Sequence, residues 1–548
     1  MNTRLVRPVA RTRENVFYFR AHAVDEGEST GMPGGFWYYA QEDPSALAVV
    51  DPDGTEIPAG DLLAACNRVA HALRAQGLVA GDTVAAILPN GSHPATVYLA
   101  ALQIGLYYVP INYRLSPPEI AYILSDSDAK AFITHERFTD VVIAAADDAG
   151  LPAAARIAIG DVAGFRSFDE FIAGQPDTLP EDRLAGAAMH YTSGTTGRPK
   201  GVKRPLTGLD PDTAAELFSM FLLLFGIGPR DGHVHLSTSP NYHTAVTTFA
   251  GNALNAGHTV VYMDKWDPEQ TLALIEQYRC THTHMVPTQF HRMLQLPEAV
   301  KAEYDVSSMT HAIHAAAPCP IDVKRKMIDW WGESIIEYYG ATEGGGTLAT
   351  AAQWLQFPGT VGTVWPNSTL KIVDDDGAAC PTGTPGTVWM KMSSGDFEYK
   401  GDQGKTDDSH DADGFFTVGD VGYLNEEGYL FLCDRKSDMI IAGGVNIYPA
   451  EIEGEILAHP DVADAAVFGI PDDDMGEQIK AVVEPRAGVA PDDALRDSIM
   501  EHLRGRLAKF KWPRTLDFMD ELPREPTGKL LKRKLRDPYW ADRENAII

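Results

Sequence analysis

The chain has 548 residues, 44% of them hydrophobic and 22% charged, with a formal net charge of −30. That length exceeds one usual hydrophobic core and implies at least two domains, and the composition suits a soluble, globular protein. So acidic a chain lacks the basic footprint of a general nucleic-acid binder, and five scattered cysteines (Cys66, Cys280, Cys319, Cys380 and Cys433) suit a reducing cytosol rather than a disulfide scaffold.

Residues 1–7 lack the apolar run of a signal peptide. Cys66, Val69, Ala70 and Leu73 fall at i, i+3, i+4 and i+7, which predicts a helix ended by Gly77. A strand over 83–88 and an apolar helix through 99–104 follow. Ser116-Pro-Pro-Glu119 has the form of a capping box, and 130–134 reads as another strand. Strands separated by helices imply crossover units and largely parallel sheets. The most apolar stretch, 217–227, is shorter than the ~20 residues that span a bilayer and reads as a buried helix. Short strands at 370–373, 386–392 and 428–433 suggest a small β-rich subdomain. Beyond Asp434 come a helix at 449–457, strands at 462–468 and 479–484, and a helix near 494–507.

An apolar segment at 184–189, read as a strand, leads into Tyr-Thr-Ser-Gly-Thr-Thr-Gly-Arg-Pro-Lys-Gly at 191–201. Its glycines, Gly194, Gly197 and Gly201, permit backbone geometries in which amide N–H groups converge on an anion. Thr192, Ser193, Thr195 and Thr196 add hydroxyls and Lys200 a positive charge, a set suited to a polyphosphate. The string is not a Walker A motif, because Pro199 and Gly201 flank the lysine where that motif has glycine and a hydroxyl residue.

Further along, Glu-Tyr-Tyr-Gly-Ala-Thr-Glu at 337–343 offers Tyr339 as a flat face for a purine, Thr342 as a hydroxyl for a phosphate and Glu343 as an oxygen ligand for Mg2+. Asp420 can accept from two neighbouring hydroxyls, as on a ribose. Leu-Pro-Arg-Glu-Pro-Thr-Gly-Lys at 522–529 stands near the end. In this order, over about residues 38–536, the strings resemble the signature motifs of the adenylate-forming superfamily, which includes AMP-dependent acyl-CoA synthetases, nonribosomal adenylation domains and luciferase.

The resemblance implies an α/β fold. A large N-terminal domain, residues 1–433, would carry parallel-rich sheets sandwiched by helices plus the small β-rich subdomain. A mobile C-terminal α+β domain, residues 434–548, would swing on a hinge at Lys436 and Ser437. The resemblance also implies ATP and AMP contacts from Thr192, Ser193, Gly194, Thr195, Thr196, Gly197, Lys200, Ala317, Glu337, Tyr338, Tyr339, Gly340, Thr342, Asp420, Arg435 and Lys529. Lys529, Glu343 and Thr195 would be catalytic, with Glu343 on Mg2+. Gly443 and Gly444 would admit the pantetheine arm of coenzyme A, and His243, Ala315 and Ala316 would line the acyl pocket. Relatives usually carry glycine where Ala315 stands, and often lysine or aspartate where Ser437 stands.

The expected reaction joins a carboxylic acid to coenzyme A through an acyl-adenylate, with ATP and CoA as co-substrates. Phe249, Leu254, Met285 and Phe290 favour an apolar tail, so a fatty acid leads and an aryl or sterol-derived acid follows. His282 and His284 read as satisfied polar residues rather than a metal site. Eleven basic residues against four acidic ones between Arg504 and Arg536 suggest an anion-attracting rim for CoA. Two alternatives stay open: an enzyme that loads a carrier protein, and a non-catalytic acyl or nucleotide sensor. The cytoplasm is the expected location, with neither nucleic acid nor an integral membrane segment as partner; a homodimer is one open arrangement.

Overall fold

The structure is a computed structural model that describes residues 34–192, 199–366, 368–392, 397–435, 438–442, 445–472, 475–525 and 529–541. Two large sheets dominate it. One has nine strands in the order Thr363–Val364, Gly344–Thr350, Ile335–Ala341, His311–His314, His282–Met285, Val234–Ser237, Thr259–Tyr262, Leu47–Val50 and Glu56–Pro58. Its central strands run parallel and its margins are antiparallel. The other, wholly parallel, has six strands built around Ala129–His135, Thr83–Ile87 and Tyr107–Pro110. All five residues of Thr83–Ile87 are buried, as a strand covered on both faces requires.

Helices fill the space between these sheets. Ala59–Ala75 directs Cys66, Val69, Ala70 and Leu73 inward, and shares one core with Ser92–Leu102, Thr244–Asn255 and strands of both sheets. Ser116 and Glu119 form the expected capping box at the start of Pro117–Asp126. The outer faces of the sheets have their own helical cores, so the large unit is layered helix–sheet–helix–sheet–helix. A four-stranded antiparallel sheet (Ser368–Val373, Gly386–Met392, Asp420–Leu424, Leu430–Arg435) forms a smaller β unit. A three-stranded sheet joins His190–Thr192, Lys200–Lys203 and Glu398–Tyr399.

The last sheet centres on the long hairpin Val462–Asp472 and Gly476–Pro485, with Pro449–Leu457 and Asp493–Arg504 packed on it around Ile452, Ile456, Ile499 and Leu503. Asp434, near the end of Leu430–Arg435, accepts from the Ala450 amide at 3.0 Å and so ties the preceding sheet to the first turn of Pro449–Leu457.

Two expectations need correction. The stretch 217–227 is not a buried helix: Pro211–Leu223 buries Ala214, Ala215 and Leu222, but Leu217, Phe218 and Met220 are 54%, 45% and 47% exposed. Its apolar residues outnumber what one inward face can take. The segment 184–189 forms only the two-residue strand Ala187–Ala188. No helix among the described residues is long and apolar enough to cross a membrane.

Candidate active site

The antiparallel pair Ile335–Ala341 and Gly344–Thr350 turns at Thr342 and Glu343, and φ values of +121° and +68° at Gly344 and Gly345 permit the tight reversal. That turn sets two neighbouring groups at the mouth of a cleft of about 3270 Å³. The volume exceeds the range of a single small-molecule pocket, about 300–1,000 Å³, so a nucleotide and a second substrate fit together.

At the turn, Glu343 is buried and its Oε1 accepts from the Tyr399 hydroxyl at 2.8 Å. Thr342 Oγ1 lies 3.2 Å from Thr244 Oγ1, and the Thr342 carbonyl accepts from Arg204 Nη2 at 2.7 Å. Lys200 donates to Asp402 at 2.7 Å and lies over the Tyr399 ring, which places its ammonium beside this turn. Among the described residues no group of three or more His, Cys, Asp or Glu could hold a metal ion. A single buried carboxylate at the turn fits Mg2+, which keeps waters and takes its remaining ligands from nucleotide phosphates.

A second cluster faces the same cleft. The Tyr339 hydroxyl donates to Asp420 Oδ2 at 2.6 Å, and Arg435 Nε lies 3.4 Å from Asp420 Oδ1. Burial raises the Asp420 carboxyl above its ordinary value, while Arg435 and the Tyr339 bond pull it back. Lys529 belongs to this group: burial lowers its ammonium first, then the charge of Arg435, while Glu525, Asp438 and Asp420 raise it. The Glu525 amide donates to the Lys529 carbonyl at 2.8 Å, and Lys529 lines the cleft.

His243, Ala315 and Ala316, expected to line an acyl pocket, and Ala317, expected to contact the nucleotide, lie on the cleft wall as well. His243 precedes Thr244–Asn255, and its imidazole is held down at about 3 by burial, with His190 and Lys529 adding to the effect. Ala315, Ala316 and Ala317 follow His311–His314 and line the cleft. Ala316 has a φ of +74°, a region that favours glycine, so this backbone is strained where it meets the cavity.

Several expectations are revised. Glu337 borders the cleft, while its buried carboxylate pairs with Lys324. The Tyr338 ring borders the same cleft and packs among Phe225, His284 and Trp365. Alternation puts Tyr338 on the opposite side of the strand from Tyr339; Glu337 shares the Tyr339 side but meets Lys324 where Tyr339 meets Asp420. Phe249, Leu254, Met285 and Phe290 are buried in the cores and do not line the cleft; Phe221, Tyr338 and Trp365 do. His282 is partnered, with its ring nitrogens 3.1 Å from His235 and 3.3 Å from His258, but Nδ1 of His284 has no partner.

The basic rim is largely neutralised: Arg504 pairs with Glu501, Arg506 with Glu455, Lys511 with Glu451, Arg524 with Asp464 and Lys532 with Glu453. Ser193, Gly194, Thr195, Thr196, Gly197, Lys436, Ser437, Gly443 and Gly444 lie outside the described residues. Thr192 and Lys200 pair across their strands at the two ends of the loop. Tyr399, Arg204 and Asp402 were missed by sequence reasoning, because no local pattern marks them.

Residues 36–395 match the family model for the AMP-binding enzyme, and residues 451–529 match that for the AMP-binding enzyme C-terminal domain. The chain is 33% identical over 517 residues to the fatty acid–acyl-carrier-protein ligase ScoC of Streptomyces coeruleorubidus, covering 92% of this chain and 96% of the relative. It is also 33% identical over 505 residues to the long-chain-fatty-acid–CoA ligase FadD13 of Mycobacterium tuberculosis, covering 91% and 96%. Among solved structures, ATP-bound MatB from Rhodopseudomonas palustris superposes with a TM-score of 0.76 at 31% identity, covering 93% of this chain and 99% of that one. With these two models matched over most of the chain and relatives at 33% identity along nearly its whole length, the chain belongs to the AMP-binding enzyme family, within the adenylate-forming superfamily.

Proposed function

We propose that this chain is an AMP-forming acyl-CoA ligase acting on a largely apolar carboxylic acid; the sequence pattern favours a fatty acid, and the aromatic cleft wall of Phe221, Tyr338 and Trp365 favours an aryl or sterol-derived one. The observation that carries the reading is the convergence of Lys529, Asp420, Arg435 and Tyr339 on the cleft that also holds Thr342 and Glu343.

A carboxylate is a poor acyl donor because its leaving group would be oxide. In the first half-reaction a carboxylate oxygen attacks the α-phosphorus of ATP, and the bond to the bridging oxygen breaks to release pyrophosphate. Asp420 accepts from the ribose hydroxyls, Thr342 contacts the α-phosphate, and the Lys529 ammonium offsets charge on the reacting oxygens. A preorganised contact of this kind is worth about 3–4 kcal/mol of barrier. Glu343 would hold Mg2+, which when bound offsets negative charge on the phosphates. In the second half-reaction a thiolate attacks the acyl carbon and AMP leaves with the electron pair. Thr195 and the glycine-rich loop serve the triphosphate, Gly443 and Gly444 the pantetheine arm, and Lys436–Ser437 the reorientation between steps.

ScoC, named for an acyl carrier protein, supports a second reading in which the acceptor thiol sits on a carrier protein. Pyrophosphate release is measured across a panel of acids with ATP and Mg2+, followed by thioester formation with CoA or with a phosphopantetheinylated carrier. The expected result is acid-dependent release and thioester with CoA alone. Release without CoA thioester would move the acceptor to a carrier protein, and no release with any acid would sink the ligase reading.

A further inference from the structure

One stretch of the cleft wall is aromatic and carries polar atoms without partners. Phe221, Tyr338 and Trp365 line it, with the Trp365 ring 6.0 Å from Phe221 and 6.3 Å from Tyr338. His284 lines the same wall from the strand His282–Met285. Only 4% of it is exposed, and its ring stacks on Phe249 at 5.0 Å. Flat aromatic faces at these separations suit a planar or fused-ring guest, which gains from offset and edge contacts that a flexible tail cannot make as well.

The polar atoms point to a more specific guest. His284 Nε2 lies 3.3 Å from the Tyr338 hydroxyl, while His284 Nδ1 and the Trp365 indole nitrogen have no partner. Nearly all buried polar atoms in native proteins are hydrogen-bonded, because an unpaired one carries its full desolvation cost. Cleft-lining His190, Tyr242 and His243 also carry unpaired buried atoms, but His284 and Trp365 are the two that sit in the aromatic stretch, where a bound ligand would supply the missing partner. Burial holds the His284 imidazole down at about 4, so near neutral pH it offers one donor and one acceptor. When the Tyr338 hydroxyl donates to Nε2, Nδ1 carries the proton and is the donor left unpaired.

On the acid-activating reading above, we propose that the acid has an aromatic or fused-ring body bearing a hydroxyl or carbonyl oxygen apart from its carboxyl group, and that His284, aided by Trp365, selects for that oxygen. His284 is a specificity-determining residue, outside the adenylation chemistry of Lys529 and Glu343. The discrimination is lopsided. A pocket with polar groups to satisfy rejects an analogue that lacks the partner far more strongly than an apolar pocket rejects an extra methylene.

The test measures kcat/KM for pyrophosphate release with two matched pairs, cinnamate against 4-hydroxycinnamate and 2-naphthoate against 6-hydroxy-2-naphthoate. Decanoate, which has neither ring nor second oxygen, reads acid activation by itself. The wild type is expected to prefer the hydroxylated member of at least one pair by about tenfold or more. His284→Phe is expected to abolish that preference, and His284→Asn to retain part of it. Trp365→Phe, which removes the indole N–H, weakens the preference independently and covers the case in which His284→Phe does not fold. A preference for the unsubstituted acids, turnover of decanoate alone, or a hydroxyl preference that survives both phenylalanine variants overturns the proposal and leaves acid activation standing. No release with any acid overturns the acid-activating reading and this inference together.

Discussion

Tyr399 donates its hydroxyl to Oε1 of Glu343 across 2.8 Å, joining residues 56 positions apart. The bond fixes one oxygen of the cleft-lining carboxylate proposed to hold Mg2+. Lys200 reaches the same tyrosine ring while bonding Asp402, so the lysine, the tyrosine and the glutamate form one continuous support beneath the turn at Thr342. Such supporting contacts orient metal ligands as firmly as the ligands' own geometry.

Tyr399→Phe is therefore expected to raise the Mg2+ concentration needed for half-maximal pyrophosphate release by about tenfold, the usual worth of a hydrogen bond to a charged group. The KM for the acid should change little. A magnesium titration at saturating acid checks this, and an unchanged requirement would show that Glu343 keeps its place without the tyrosine.

Lys529 lines the cleft with Asp420 and Arg435, the residues proposed to hold the adenylate. Lys529→Ala should slow acyl-adenylate formation by about 10²–10³-fold, the equivalent of about 3–4 kcal/mol. Thioester synthesis from supplied acyl-adenylate should be largely retained. Single-turnover measurements of the two half-reactions separate them, and equal loss in both would contradict the role assigned to the lysine.

At Ala316 the backbone sits at φ +74° without the freedom of glycine. Ala316→Gly relieves a conformation that costs an L-residue about 1 kcal/mol, so the thermal midpoint should rise slightly or hold. The methyl group also borders the cavity, so acid preference should shift toward bulkier acids. A melting curve together with the acid panel reads both effects.

Lys532 and Glu453 form a largely enclosed pair at 3.0 Å, 14% and 15% exposed, and the Val467 amide donates to the same carboxylate. Lys532→Ala leaves Glu453 without its cation, and a loss of about 2–3 kcal/mol in the C-terminal unit is expected after allowing for partial solvent access. Lys534→Ala on the same helix should lie within about 0.5 kcal/mol of wild type. Chemical denaturation of the two variants compares them, and equal stability would place Lys532 among ordinary surface lysines.

Burial lowers six imidazoles to between about 3 and about 4: His190, His235, His243, His258, His284 and His311. An unfolded chain takes up protons at these sites below about pH 6.5, whereas the folded chain resists until its own lower values are reached. Their contribution to stability is thus complete above about pH 6.5 and is lost as the pH falls toward 4. Each group contributes on the order of 1 kcal/mol of destabilisation by pH 5.5, and the six together approach the whole stability of a domain. The thermal midpoint should fall steeply between pH 6.5 and 5 and change little from 7 to 8. A flat profile across the acid range would mean that these histidines are solvated.

Local features were legible in the amino-acid order, because they depend on residues within a turn or two of one another. The spacing of Cys66, Val69, Ala70 and Leu73 marks a buried helical stripe, Ser116 and Glu119 cap a helix, and the strings at 191–201, 337–343 and 522–529 point to adenylate chemistry. Tertiary structure alone decided which of those residues are free to act. Glu337 is paired with Lys324 and Tyr338 belongs to an aromatic wall, although both sit in the same string as Glu343. Leu217, Phe218 and Met220 reach solvent although their stretch is the most apolar in the chain. The basic residues near the C-terminus are mostly paired with acids that precede them by up to 79 positions, as with Lys532 and Glu453. Burial and ion pairing are properties of which distant segments meet, and the linear spacing of residues carries no record of that meeting.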